Sequence, residues 1–153
     1  MSLFLDEIIL TMREVAGFGS GHSLVDMGCG RGYFLKHLSN LGHNALLGLD
    51  PCRELLNDAL FRNVRAGSFE NNDIPSSSFD VVFTCHTLHH LRDPHPVQAI
   101  REMTRIAKRY VVVVEVNNTN LPTLLVCLLH ASVERNAIRY NLSSTRRLVA
   151  DGG

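Results

Sequence analysis

The sequence predicts an α/β domain built on a doubly wound parallel sheet, with helices covering both faces. Three observations carry that expectation. Short apolar runs alternate with stretches of helical periodicity, and no two-residue hairpin turn lies between them. Phe79-Asp80-Val81-Val82-Phe83-Thr84-Cys85 is nearly all apolar, as a strand covered on both sides must be. Leu24 to Leu35, LVDMGCGRGYFL, joins a strand, a glycine turn and a helix start without a break.

The elements follow in order. Phe4 to Ala16 places Phe4, Ile8, Ile9, Met12 and Val15 at helical spacing, and Gly17 to Gly21 breaks this first helix. Leu24-Val25-Asp26 is the first strand. After the glycine turn, Phe34, Leu35, Leu38 and Leu41 form the core stripe of a second helix, which Gly42 ends. Asn44 to Asp50 is the second strand. Pro51 then opens a helix from Arg53 to about Arg62, with Leu55, Leu56 and Leu60 inward. Asn63 to Ala66 gives a minimal third strand, and Gly67 to Ser78 a loop.

Past the fourth strand, Phe79 to Cys85, the stretch His86 to Pro96 reads as loop and Val97 to Ala107 as amphipathic helix. Tyr110 to Val116, YVVVVEV, is the most strand-like run in the chain. Leu121 to about Arg139 is an apolar helix, either core or interface. Ser143 or Ser144 caps a last helix that ends at Gly152-Gly153.

Composition narrows the classes. A chain of 153 residues supports one domain with a substantial core, here residues 1–153. Fifteen basic and fifteen acidic residues cancel, and no Lys/Arg block stands out, so the electrostatic footprint of a nucleic-acid binder is absent. Cys29, Cys52, Cys85 and Cys127 are spread without a C-x-x-C pair, each in or beside an apolar run. They read as reduced thiols in a reducing, cytoplasmic compartment. The longest apolar run, Leu121 to His130, is too short to span a membrane.

The glycine turn carries the chemistry. Gly28, Gly30 and Gly32 stand on alternate positions, where the backbone must turn sharply and admit a ligand closer than a Cβ allows. Such a turn in an α/β protein holds a nucleotide-like cofactor at the start of the next helix. The dinucleotide pattern G-x-G-x-x-G needs glycine where Tyr33 stands. Asp26, two residues before the first glycine, would repel a diphosphate and attract a cation. A nicotinamide-dependent oxidoreductase is therefore disfavoured.

On these residues the chain resembles the class I S-adenosylmethionine-dependent methyltransferases, whose cofactor loop reads D-x-G-x-G-x-G. Phe79-Asp80-Val81-Val82, followed by Thr87-Leu88-His89-His90-Leu91, resembles the type-11 small-molecule group of that family. The resemblance runs from about Leu24 to Val116. It implies a Rossmann-like sheet of order 3-2-1-4-5, S-adenosylmethionine as cofactor, and a small-molecule or lipid-like acceptor. The signatures of nucleobase-methylating enzymes are missing, so no nucleic-acid partner is expected.

The resemblance also implies site residues. Asp26, Gly28, Cys29, Gly30 and Gly32 would surround the methionine part of the cofactor. Asp50, followed by Pro51, would accept hydrogen bonds from the ribose hydroxyls, a task that suits an acceptor-only carboxylate. Ser68 stands where the family often has an acid beside the adenine amino group, and Phe69 would pack near the ring. Cys85 and His86 would complete the pocket.

Methyl transfer needs alignment above all, and a general base only where the acceptor must lose a proton. His86, His89 and His90 are the candidates for that base by position and by side-chain type. In the alternative, one of them shapes the pocket and the others pack or face solvent. A metal site from Cys85, His86, His89 and His90 is not expected, because no second cluster stands at zinc-like spacing. Glu115 is either a pocket carboxylate or an ordinary strand-end acid. A second functional reading is a non-catalytic S-adenosylmethionine-binding partner or regulatory module.

Family members usually add two further strands, antiparallel to each other. Without them YVVVVEV would be a bare apolar edge. The native chain is therefore expected to continue past Gly153, or a second copy to cover that edge in a homodimer.

Overall fold

A computed structural model of the chain describes residues 2–91, 95–117, 119 and 142–152. Its helices are α1 (Ser2–Ala16), α2 (Tyr33–Asn40), α3 (Arg53–Asn57), α4 (His95–Ile106) and α5 (Leu142–Gly152). Its strands are β1 (Leu24–Met27), β2 (Leu46–Asp50), β3 (Val64–Ala66), β4 (Phe79–Cys85) and β5 (Ala107–Val114), with a 3₁₀ turn at Leu88–His90. The expected apolar helix from Leu121 lies outside the described residues.

The strands form one sheet in the order β3-β2-β1-β4-β5, every pair parallel. The order expected from the resemblance is the one observed. Alternate side chains on each strand point to opposite faces, so two cores form. On one face Leu24, Leu46, Val81 and Phe83 meet Ile8, Ile9 and Met12 of α1 and Phe34, Leu35 and Leu38 of α2. On the other, Val25, Met27, Leu49 and Val82 meet Ala99, Ile100, Met103 and Ile106 of α4, with Leu148 of α5 packed against them. β1 is buried along its whole length.

The differences from the sequence reading have local causes. The third helix is a single turn, Arg53–Asn57, and none of its residues is buried. Leu60 N–H donates to the Arg31 carbonyl at 2.8 Å, which pulls the chain back toward the glycine turn and stops the helix. Leu55 and Leu60 are 40% and 48% exposed, not inward. Phe4, Val15 and Leu41 also sit at the exposed borders of their helices. α4 starts two residues before the expected Val97, because Pro96 fits the first turn, where its missing N–H is no loss. β5 begins directly at Ala107, since Phe79 pairs with Ala107 before a register shift sets Val81 opposite Tyr110.

Phe83 is fully buried at the sheet centre and stacks on Phe34, ring centroids 4.1 Å apart. Phe83→Ala should cost about 3–5 kcal/mol, since the close-packed neighbours cannot fill the gap. Urea denaturation followed by circular dichroism checks this; a loss below about 1 kcal/mol would contradict the packing described.

Candidate functional site

The carboxyl ends of β1, β2 and β4 converge on one crevice, the place where open parallel sheets bind ligands. Gly28, Gly30 and Gly32 all have positive φ, +85°, +54° and +73°. At Gly28 the need is also steric: a Cβ would stand 2.4 Å from Cγ2 and Oγ1 of Thr87. Gly28 and Cys29 N–H groups donate to the Leu49 carbonyl at 2.8 and 3.0 Å, locking the turn onto β2. Asp50, 7% exposed, braces the same turn: Oδ2 accepts from Gly30 N–H and Oδ1 from Cys52 N–H, both at 2.8 Å. Each oxygen keeps a second lone pair for a ligand hydroxyl.

Asp26 is the unusual group. Its side chain is buried, the residue being 3% exposed, and Oδ1 has no hydrogen-bond partner. Burial, and then the charge of Asp50, push its carboxyl up from 3.8 to about 8. An uncompensated carboxylate in such a place is costly, and a nearby cation would relieve the cost.

Beside these groups lies a cavity of about 470 Å³, a size suited to a nucleoside-containing ligand. Of the residues expected in the site, Gly28, Gly30, Asp50, Pro51, Ser68, Phe69, Cys85 and His86 line it. Asp26 lies outside the lining. So does Cys29, whose Sγ fills the space a Cβ on Gly48 would need. Gly32 caps α2. Phe69 is 5% exposed and belongs to the same apolar cluster as Leu49 and Ile74. The sequence reading had not picked out Leu55, Glu70 or Thr87, which also line the cavity. Glu70 Oε2 accepts from Ser68 Oγ–H at 3.1 Å, so a carboxylate two residues on stands beside the serine. Position alone signalled it, because the loop after β3 reaches the sheet edge. The Cys85 thiol is pushed up to about 12 by burial first, then by Asp26 and Glu115, and stays protonated and unreactive.

The β4 exit forms the other wall. His86 adopts φ +52°, a conformation that costs a non-glycine residue about 1–3 kcal/mol, and its N–H donates to the Val114 carbonyl at 2.8 Å. Of the three candidate histidines, His86 and His90 line the cavity. His89 does not: its side chain is 2% exposed, and Nδ1 lies 2.6 Å from Oε2 of Glu115. Glu115 is thus neither a pocket carboxylate nor a solvent-facing strand-end acid. Its side chain, 1% exposed, also accepts from the N–H groups of Thr87 and Leu88 on Oε1, at 3.0 and 2.7 Å. Burial alone would raise this carboxyl, but the bonds to His89, Leu88 and Thr87 outweigh it and hold it below the usual range. His86, His89 and Glu115 bring one donor atom each within 4.8 Å of one another; Cys85 is not in that group.

A parallel sheet of this order, with an acid and three glycines at its first strand tip and a second acid at the next, defines a class I methyltransferase fold. Comparison with known proteins agrees. The model of the family described as "Methyltransferase domain" matches residues 25–114. The chain belongs to that family, the S-adenosylmethionine-dependent methyltransferases of class I. A tRNA U34 carboxymethyltransferase of Campylobacter hominis is 33% identical over an alignment of 91 residues that covers 54% of this chain and 31% of that one. The chain thus spans about a third of the length of the curated relatives it matches. Among solved structures, a SAM-dependent methyltransferase from Archaeoglobus fulgidus superposes with a TM-score of 0.75 at 18% identity, covering 97% of this chain and 68% of that one. One from Thermotoga maritima gives 0.74 at 23% identity, covering 99% and 72%. At these identities the likeness shows the fold.

Two outcomes follow from the geometry. Gly28→Ala should cost stability and distort the turn, because both its φ and the Thr87 contact exclude a Cβ; thermal melting reads the loss. Asp26 has a folded-state pKa above its unfolded value, so its contribution to stability is complete below pH 3.8 and is lost as pH rises through about 8. Melting temperature should therefore fall across that window in the ligand-free protein, and Asp26→Asn should flatten the fall. An identical slope in both proteins would refute the assignment.

Proposed function

We propose that this chain binds S-adenosylmethionine in the crevice and transfers its methyl group to an acceptor. The observation that supports this most directly is the buried Asp26 carboxylate, whose Oδ1 lacks a partner beneath a glycine turn that leaves room for a close ligand. The residues fit the cofactor's parts. Asp26 and the glycine backbone would hold the cationic amino-acid end, Asp50 the ribose hydroxyls, and Ser68 with Glu70 the polar edge of the base. When bound, S-adenosylmethionine supplies a methyl group on a sulfonium whose departing electron pair leaves a thioether. The protein's part is to align an acceptor lone pair with that methyl, exclude water, and receive the acceptor's proton where there is one. His86 is placed to receive it, being exposed at the cavity wall on the strained exit of β4.

Isothermal titration with S-adenosylmethionine, S-adenosylhomocysteine and NAD tests the donor. The first two should bind and the third should not. Asp26→Ala should weaken S-adenosylmethionine binding at least about tenfold, or about 1.4 kcal/mol. A cation beside Asp26 favours its ionised form, so affinity should rise with pH up to about 8, with protons released on binding. Binding of NAD in place of the other two would overturn the reading.

The acceptor is proposed to be a small or lipid-like molecule. The balanced net charge supports this, as do acids paired with Arg31, Arg65 and Arg105 at 3.2 Å or less. An RNA acceptor is the second reading, favoured by the names of the tRNA U34 carboxymethyltransferases that the chain resembles. Radiolabelled methyl transfer to a metabolite extract and to bulk tRNA, side by side, separates them. In whichever fraction is labelled, His86→Gln should lower the rate about a hundredfold if the acceptor is a hydroxyl. Tight donor binding without labelling of either would favour a non-catalytic binding module. Cytoplasmic residence and a second copy beside β5 stay part of the proposal. No helix among the described residues is long and apolar enough to cross a membrane.

A further inference from the structure

Three interactions converge on the side chain of Glu115. One carboxylate takes both backbone N–H groups that open the 3₁₀ turn, at Thr87 and Leu88, and the ring of His89 behind it. The segment so held is not a passive surface loop. Thr87 seats on Gly28, closing the floor of the crevice, and its Oγ1–H donates to the Cys85 carbonyl at 3.0 Å. His86 precedes it in a backbone conformation that only surrounding contacts can maintain. Its ring meets that of His89 edge-on, centroids 6.2 Å apart, and the Phe4 ring of α1 at 6.0 Å.

A buried carboxylate is a costly way to cap a short turn. Water or a serine hydroxyl could satisfy two N–H groups, whereas a buried acid is costly unless donors meet it. Here donors meet both oxygens, and the acid also dictates the state of a buried ring. With Oε2 at 2.6 Å, His89 must carry a proton on Nδ1. We propose that Glu115 is the positioning residue for the acceptor side of the pocket: it anchors the 86–90 segment to the end of β5 and, through His89, fixes where His86 stands. Nothing in the D-x-G-x-G-x-G resemblance assigns a role to this position. The inference rests on reading the crevice as the donor pocket, with Glu115 itself touching neither donor nor acceptor.

The test separates positioning from plain structural support. Glu115→Gln keeps an oxygen for the Thr87 and Leu88 N–H groups but turns an NH₂ toward His89. Two-bond ¹⁵N–¹H spectra of histidine-labelled protein, with His86→Gln and His89→Gln for assignment, read the proton positions. In the wild type His89 should carry its proton on Nδ1; in Glu115→Gln it should carry it on Nε2, and the ring resonances of His86 should shift with it. The Thr87 and Leu88 amides should stay protected from hydrogen exchange in Glu115→Gln and lose protection in Glu115→Ala. With methyl-¹³C S-adenosylmethionine, the bound methyl resonance should also shift in Glu115→Gln while affinity changes by less than about threefold.

Unchanged His89 and His86 resonances in Glu115→Gln would overturn the proposal, and so would stoichiometric zinc uptake that removes the His89 proton. If the wild type fails to bind S-adenosylmethionine, the donor reading falls, while the histidine spectra still decide the role of Glu115. If Glu115→Ala does not fold, Glu115→Gln still decides it.

Discussion

The site depends on two carboxylates at the tips of neighbouring strands. β1 and β2 pair in parallel with Asp26 opposite Gly48, which brings Asp50, two residues further on, into the electrostatic range of Asp26. The two acids are treated differently. Asp50 receives backbone N–H groups on both oxygens, while Asp26 is left with a bare oxygen and responds by holding its proton. Asymmetry of this kind is stable without ligand and is resolved by one that brings positive charge. The glycine turn between β1 and α2 is the other half of the constraint. A side chain at Gly28 would collide with Thr87, and one at Gly32 would press on Phe61.

The opposite wall obeys the same economy with different groups. The Glu115 side chain is also buried, but three donors meet it, so it stays charged where Asp26 does not. One buried acid has an oxygen without a partner, and the other is met on both oxygens. That contrast sets an unmet acid on one side of the crevice and an acid held by its own hydrogen bonds on the other. Cys29 and Cys85, between the acids, are driven toward the neutral thiol by burial and by the same negative charges. They serve as small apolar packing groups.

Function and fold separate here in a familiar way. The family match, residues 25–114, runs from the first strand of the sheet to the end of the last. Relatives that share this stretch are named for tRNA, and they extend well beyond the matched region. A common donor pocket carries many acceptors, since a fold fixes the place of chemistry and the site fixes its object.

The sequence by itself determined the parallel sheet and most of the residues lining the crevice, while the strand order followed from the resemblance to a known family. Apolar strands, helical stripes and three glycines behind an acid are local patterns, each enforced by backbone geometry within a few residues. Asp26, Asp50 and Cys85 sit at strand ends, so the alternation of elements alone carried them to one edge. What local pattern could not give was decided by contacts across the chain. Leu60 turns back because the Arg31 carbonyl accepts its N–H, and α3 is one turn long for that reason. Glu70 comes beside Ser68 through a loop. The split among the three histidines, with His89 inward and His86 and His90 at the cavity, hangs on Glu115, distant in sequence and bonded through space. Hydrogen bonds between distant segments leave no period in a sequence, and only the folded chain shows which acid meets which ring.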